Sequence, residues 1–300
     1  MSVALLGLLV LLLPFAIEAF RRPVEARRDG TERLVALPDG ATHIVIEGPE
    51  DGPVIVLIHG LLTPSFLFSG VAPLLCQAGY RVVRYDLYGR GLSDRPKQRQ
   101  DMDLFLRQLD GVLANTGAGR DLILLGYSMG GVIAAGAAAR DPDAVRAVLL
   151  VAPAGLGTIK VPPVFLAPLL GDWLVRLVGG VALRKRMAEG PQVPSAIPDI
   201  ARREAEETRV RGFLPAVLSA MRHSLNRDMG EEYRRLAAAG TPILAIWAGD
   251  DGTIPQTSPG RLAELNARAR HHQIDGAGHG VIHTRPGEVA AEILKFLKSA

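Results

Sequence analysis

The sequence predicts an α/β fold, a mostly parallel sheet covered by helices on both faces, with a helical segment inserted late in the chain. Three observations carry this. Short unbroken apolar runs such as VIVLIHG, DLILLGYS, VRAVLLVAP and TPILAIWAGDD alternate with longer stretches of helical spacing; this is the pattern of strands buried on both sides and joined by crossover helices. The rhythm breaks over residues 156–236, where prolines, leucines and charged helical runs take over. Finally, DLILLGYS passes through a serine set between glycines directly into the alanine-rich VIAAGAAARDP, a strand, a tight turn and a helix in succession.

Taken in order, residues 1–22 form an apolar N-terminal segment. From Ser2 to Phe20 it is interrupted only by Pro14 and Glu18, and Arg21 and Arg22 follow. It is slightly short for a bilayer, yet its expected role is a membrane anchor, with the trailing arginines placing the bulk of the protein on the cytoplasmic side. A cleaved signal peptide and a surface helix packed on the domain or on lipid are the alternatives. A signal peptide carries its positive charge before the apolar core rather than after it. Residues 30–155 read as the first part of the core, with HIVIE and VIVLIHG as strands and YRVVRYDLYGRG as a strand ending in a glycine-rich turn. DMDLFLRQLDGVLANTG has helical spacing. Residues 156–236 read as a helical cap. Residues 237–300 complete the core with ILAIWA, HHQID and a closing helix, GEVAAEILKFLKSA.

Composition narrows the function classes. Three hundred residues, 48% apolar and 22% charged, can bury a large core. A formal charge of +3 with scattered arginines leaves no nucleic-acid footprint. The one cysteine, Cys76, rules out an intrachain disulfide and argues against a cysteine-based metal site.

The chemistry centres on GYSMG. A strand-to-helix turn this tight leaves no room for side chains at its flanks, so Gly126 and Gly130 relieve the crowding and lift Ser128 to the top of the sheet. Ser128 is the expected nucleophile, beside a helix N-terminus whose N–H groups can stabilise a developing anion. Of seven histidines, His279 in GAGHG follows the last strand, where a loop can carry an imidazole over the sheet; it is the expected base. His43, His223, His271 and His272 read as structural or surface residues, and His283 as exposed or standing behind the base. WAGDDGTIP supplies two adjacent carboxylates, Asp250 and Asp251, and spacing alone does not choose between them. The oxyanion donors are the backbone N–H groups of Met129 and Leu61, with His59 and Gly60 anchoring the loop that carries Leu61.

These motifs together resemble the α/β-hydrolase superfamily, in the capped branch of small esterases, monoacylglycerol-lipase-like proteins and carbon–carbon bond hydrolases. IHGLL, YDLYGRGLSDRP, GYSMGG, WAGDDGTIP and GAGHGVIHTRPGEVAAEILKFL match its landmarks in order, covering residues from about 40 to 300. The resemblance implies the α/β-hydrolase fold and, by alignment on Pro255, selects Asp251 as the acid, with Ala248 where a glycine is common. Dehalogenases and epoxide hydrolases of this superfamily carry an aspartate at the nucleophile position, where this chain has Ser128. Arg90 and Asp94, in GRGLSDRP, are expected to be structural. The implied activity is hydrolysis of small-molecule carboxylic esters with small to medium apolar acyl groups through an acyl-enzyme, with no cofactor and no metal. Carbon–carbon hydrolysis, cofactor-free haloperoxidase chemistry and a non-catalytic ligand receptor or scaffold are the alternatives. The segment VPPVFLAPLLGDWLVRLVGG is expected to roof an apolar acyl pocket or to pack the cap onto the sheet.

Overall fold

The structure, a computed structural model, describes residues 3–189 and 193–299. Residues 1 and 2 of the apolar N-terminal segment, 190–192 of the expected cap and Ala300 lie outside the described residues. Eight strands, β1 (Leu34–Leu37), β2 (Gly40–Glu47), β3 (Val54–Ile58), β4 (Arg81–Tyr85), β5 (Leu122–Tyr127), β6 (Val145–Val151), β7 (Ile243–Ala248) and β8 (Arg270–Ile274), form one sheet. Their order is β1-β2-β4-β3-β5-β6-β7-β8. The β1–β2 and β2–β4 pairings are antiparallel and all the others parallel. β5 is buried at every position, which is why its sequence is a continuous apolar run and does not alternate. The edge strand β1 leaves no such signature, because it is four residues long and only partly buried.

Helices Ala72–Gln77 and Pro286–Leu297 cover one face of the sheet. Met102–Thr116, Met129–Arg140, Gly230–Ala239 and Ser258–Leu265 cover the other. Met102–Thr116 starts where the Asp101 carboxylate accepts the Leu104 N–H at 3.0 Å and stops at Gly117, φ +71°. Met129–Arg140 is buried from Met129 to Ala139; its alanines and glycines let sheet and helices approach closely.

A helical cap is inserted between β6 and β7 and includes helices Leu170–Leu174, Gly180–Glu189, Ile200–Glu207 and Phe213–Ala220. It has its own apolar cluster, in which Val175, Phe213, Leu214 and Val217 are buried, and Leu61, Leu62, Phe165 and Met221 pack against that cluster.

The N-terminal expectation needs correction. Val3–Ala19 is a helix of 17 residues, about 25 Å long, against a hydrocarbon core of about 30 Å. No helix among the described residues is long and apolar enough to cross a membrane. This overturns the expected anchor and the membrane-associated placement, with a cytoplasmic-side catalytic domain, that rested on it. The two interruptions in the apolar run are also the two residues the helix buries between 5 and 20, Pro14 and Glu18. Pro14 has no N–H to offer the Val10 carbonyl one turn back, and Trp173 of the cap donates its Nε1–H there instead, at 3.3 Å. Glu18 accepts the Gly212 N–H at 2.6 Å, and the Arg176 guanidinium lies 4.9 Å from the Phe15 ring centre. The segment docks on the cap.

Candidate active site

The turn after β5 sets the serine. Ser128 has φ +53° and ψ −121°, a conformation costly for any residue with a Cβ and sustained only by its surroundings. Its N–H donates to the Val151 carbonyl at 3.0 Å, and its own carbonyl accepts the N–H groups of Gly131 and Ala154 at 2.9 and 3.0 Å. A Cβ on Gly126 would stand 2.3 Å from the Gly130 oxygen, and one on Gly130 2.0 Å from the Ile58 oxygen. Both flanks are closed to side chains.

His279, on the loop after β8, reaches Ser128 Oγ with Nε2 at 3.1 Å and Asp251 Oδ2 with Nδ1 at 2.9 Å. A carboxylate can only accept, so Nδ1 carries the proton and the Nε2 lone pair faces the hydroxyl. The other oxygen of Asp251 accepts the N–H groups of Thr253 and Ile254 at 2.7 and 2.9 Å. Burial pushes the Asp251 carboxyl up, but the hydrogen bond and charge of His279, with those two N–H groups, outweigh it and hold the pKa below the usual value. Asp250 is exposed, and among the described residues only its backbone N–H is engaged, with the Ala277 carbonyl at 2.9 Å. Of the two adjacent carboxylates, Asp251 is the one on the imidazole.

The opposite wall is the loop after β3. His59 is fully buried and burial pulls its pKa down to about 4, so it is neutral. Its Nδ1–H donates to the Gly60 carbonyl at 2.8 Å, and Nε2 accepts the Leu87 N–H at 2.9 Å. Gly60 packs beside the serine, where a Cβ would fall 3.1 Å from Ser128 Cβ. The N–H groups of Leu61, next in the chain to Gly60, and of Met129, next to Ser128, donate to no acceptor among the described residues.

Three contacts go beyond what the sequence reading assigned. Arg90, fully buried, donates Nε–H to the Leu61 carbonyl at 3.0 Å, so the expected structural residue holds the back of the donor loop. Tyr127 donates its hydroxyl to the His279 carbonyl at 3.0 Å; its place next to Ser128 was the one available hint. Thr63 donates to the Glu204 carboxylate of the cap, and burial raises the pKa of Glu204 more than that bond lowers it. In the sequence Glu204 is one acid among several in RREAEE.

The remaining histidines serve elsewhere. His43 pairs with the buried Asp86 at 2.8 Å, His271 accepts from Trp247 at 3.1 Å, and His272 lies 3.5 Å from Glu292. His223 lines a cavity beside the cap. His283 meets Ser195 Oγ at 3.0 Å through Nδ1, and burial lowers its pKa to about 4. Asp94 ties β2 to its loop by accepting the Ala41 N–H at 2.8 Å. Among the described residues no group of three or more His, Cys, Asp or Glu is arranged to hold a metal ion.

Known proteins are similar along most of the chain. The family model described as "Alpha/beta hydrolase family" matches residues 55–292. Epoxide hydrolase A of Mycobacterium tuberculosis is 28% identical over 313 residues, covering 89% of this chain and 97% of the relative. The enol-lactonase of Burkholderia xenovorans LB400 superposes with a TM-score of 0.73 at 22% identity, covering 89% of this chain and all of the other. For a bromoperoxidase from Bacillus anthracis the figures are 0.72 and 21%, with the same coverage. At these identities the solved structures speak for the fold alone. The family match supports enzymatic activity of a general hydrolytic, esterase type. With its sheet, cap and matched span of 55–292, the chain belongs to the alpha/beta hydrolase family.

Proposed function

We propose that this protein is a serine hydrolase cleaving carboxylic esters of small to medium apolar acyl groups through an acyl-enzyme. The observation that carries the reading is His279, whose ring nitrogens lie 3.1 Å from Ser128 Oγ and 2.9 Å from Asp251 Oδ2. As Ser128 Oγ attacks the ester carbon, Nε2 of His279 takes its proton and Asp251, still ionised, stabilises the imidazolium. Charge gathers on the carbonyl oxygen, for which the free N–H groups of Leu61 and Met129 are the proposed donors; one such donor is worth about 3 kcal/mol in the transition state. The intermediate collapses as His279 returns the proton to the departing alkoxide. A water then gives its proton to His279 and attacks the acyl carbon. Ser128 leaves reprotonated and the acid is released.

The acyl preference rests on the cap. Leu61, Leu62, Phe165 and Met221 are partly buried and each packs against the buried cap cluster, so an apolar chain entering beside them exchanges water for hydrocarbon. A peptide would leave its backbone groups unpaired in the same place.

The mycobacterial relative is named an epoxide hydrolase, but the Ser128 hydroxyl, hydrogen-bonded to His279, stands here where such enzymes carry a carboxylate nucleophile, and this favours acyl transfer. Carbon–carbon hydrolysis of an enol carboxylate would use the same three residues. Perhydrolysis differs only in peroxide replacing water.

A fluorophosphonate probe should label the full chain but not Ser128→Ala, and a panel of neutral esters should be hydrolysed by the first alone. A chain that neither labels nor turns over any ester overturns the proposal and leaves a ligand receptor.

A further inference from the structure

Between the loop after Asp94 and the cap lies a cavity of about 350 Å³, lined by none of Ser128, His279, Asp251, Leu61 or Met129. Its walls carry Arg95, Lys97, Arg99, Arg176, Arg222 and His223 against one lining carboxylate, Asp172. Asp172 is already engaged by Arg222 at 2.7 Å and Arg176 at 3.5 Å. Lys97 and Arg99 are exposed and form no ion pair among the described residues.

Residues of the lining also bury donors without acceptors. Arg95 Nε, Arg222 Nε and Gln100 Nε2 are buried and find no hydrogen-bond partner among the described residues. Gln100 is 1% exposed and cannot turn away. Its side-chain oxygen accepts from Arg90 at 2.9 Å, its N–H donates to Ser219 Oγ at 3.0 Å and its carbonyl accepts from Ser224 Oγ at 2.7 Å. Two cap serines thus hold the Gln100 backbone and a buried arginine its side-chain oxygen, with the amide nitrogen unused. With Asp172 already engaged and Lys97 and Arg99 left without a counter-ion among the described residues, the wall calls for a ligand rich in acceptors and negative charge.

We propose that this cavity binds a phosphate group, either free or carried on a small phosphomonoester. Guanidinium forks match phosphate oxygens in pairs and stay charged at any working pH. A dianion offsets the excess of cations, and its oxygens can accept from Lys97 and Arg99 together. A carboxylate brings one charge and two oxygens to the same wall.

The test titrates the full chain by calorimetry with inorganic phosphate and, separately, with glycerol 3-phosphate, at constant ionic strength set by sodium chloride. Saturable binding of either anion at one site is expected. The double variant Lys97→Glu, Arg99→Glu should weaken it at least tenfold, while its circular dichroism and its hydrolysis of a neutral ester in phosphate-free buffer stay within twofold of the parent. Tighter glycerol 3-phosphate would identify a carried phosphate as the ligand, and tighter inorganic phosphate the free ion. Absence of saturable binding of both anions, or equal binding by the charge-reversed variant, overturns the proposal.

Discussion

Gly130→Ala tests how closely the serine turn is built. The added Cβ would lie 2.0 Å from the Ile58 oxygen, 2.7 Å from the Ile58 carbonyl carbon and 2.8 Å from the His59 oxygen, where ordinary contact begins at 3.4 Å. All three are backbone atoms, so no side chain can rotate to make room. The start of helix Met129–Arg140 and the end of β3 must instead separate by roughly 1 Å. Overpacking of this kind costs about 1–3 kcal/mol, and with backbone on both sides the upper figure applies. The same movement parts the N–H groups of Met129, the residue before the substitution, and Leu61, three residues after Ile58. A displacement of about 1 Å in an aligned site costs about 100-fold in rate, or about 2.7 kcal/mol of barrier. Urea unfolding and kcat/KM on a nitrophenyl ester measure the two effects, with Gly119→Ala as control because a Cβ there meets nothing within 4 Å. A Gly130→Ala protein whose midpoint and kcat/KM both match the control would refute the reasoning.

Other outcomes follow from the same geometry. Asp251→Asn should lower kcat about 10³–10⁴-fold, since an amide cannot hold the imidazole in the required tautomer, whereas Asp250→Asn should stay near wild type; steady-state kinetics of the two folded variants would expose a reversed order. His59 is buried with its pKa drawn down to about 4, against 6.5 when unfolded, so below pH 6.5 the unfolded chain takes up a proton that the native state refuses. Stability should therefore fall by about 3 kcal/mol between pH 6.5 and 4 through this group alone. His283 acts in the same direction, while Asp86 and Asp251, with lowered values, weigh in only below about pH 4. Urea titrations at pH 7, 5.5 and 4.5 check this, and a flat profile would contradict it. With one leaving group, kcat/KM should rise from acetyl to medium-length acyl esters by up to about 0.8 kcal/mol per buried methylene; a falling series below the critical micelle concentration would remove the apolar pocket.

The sequence by itself determined the features governed by short-range sterics and periodicity. The unbroken apolar run of β5 announces a strand covered on both faces. Gly126 and Gly130 mark a turn whose neighbours leave no space for a Cβ, and from those two facts the position of Ser128 follows. The tertiary structure decided what depends on residues far apart in the chain. Asp250 and Asp251 are indistinguishable by spacing; the fold turns one outward and lays the other on His279, 28 positions away. Arg90 looks like a loop residue until the Leu61 carbonyl is brought to its Nε, and Glu204 like surface charge until Thr63 meets it. The clearest case is the N-terminal helix. As a string, Ser2–Phe20 has the hydropathy of an anchor, with Pro14 and Glu18 as blemishes. In the fold Pro14 frees a carbonyl that Trp173 fills, and Glu18 takes the Gly212 N–H. Hydropathy records how apolar a segment is. Which surface covers it depends on partners more than 150 residues away, and no local pattern encodes their approach.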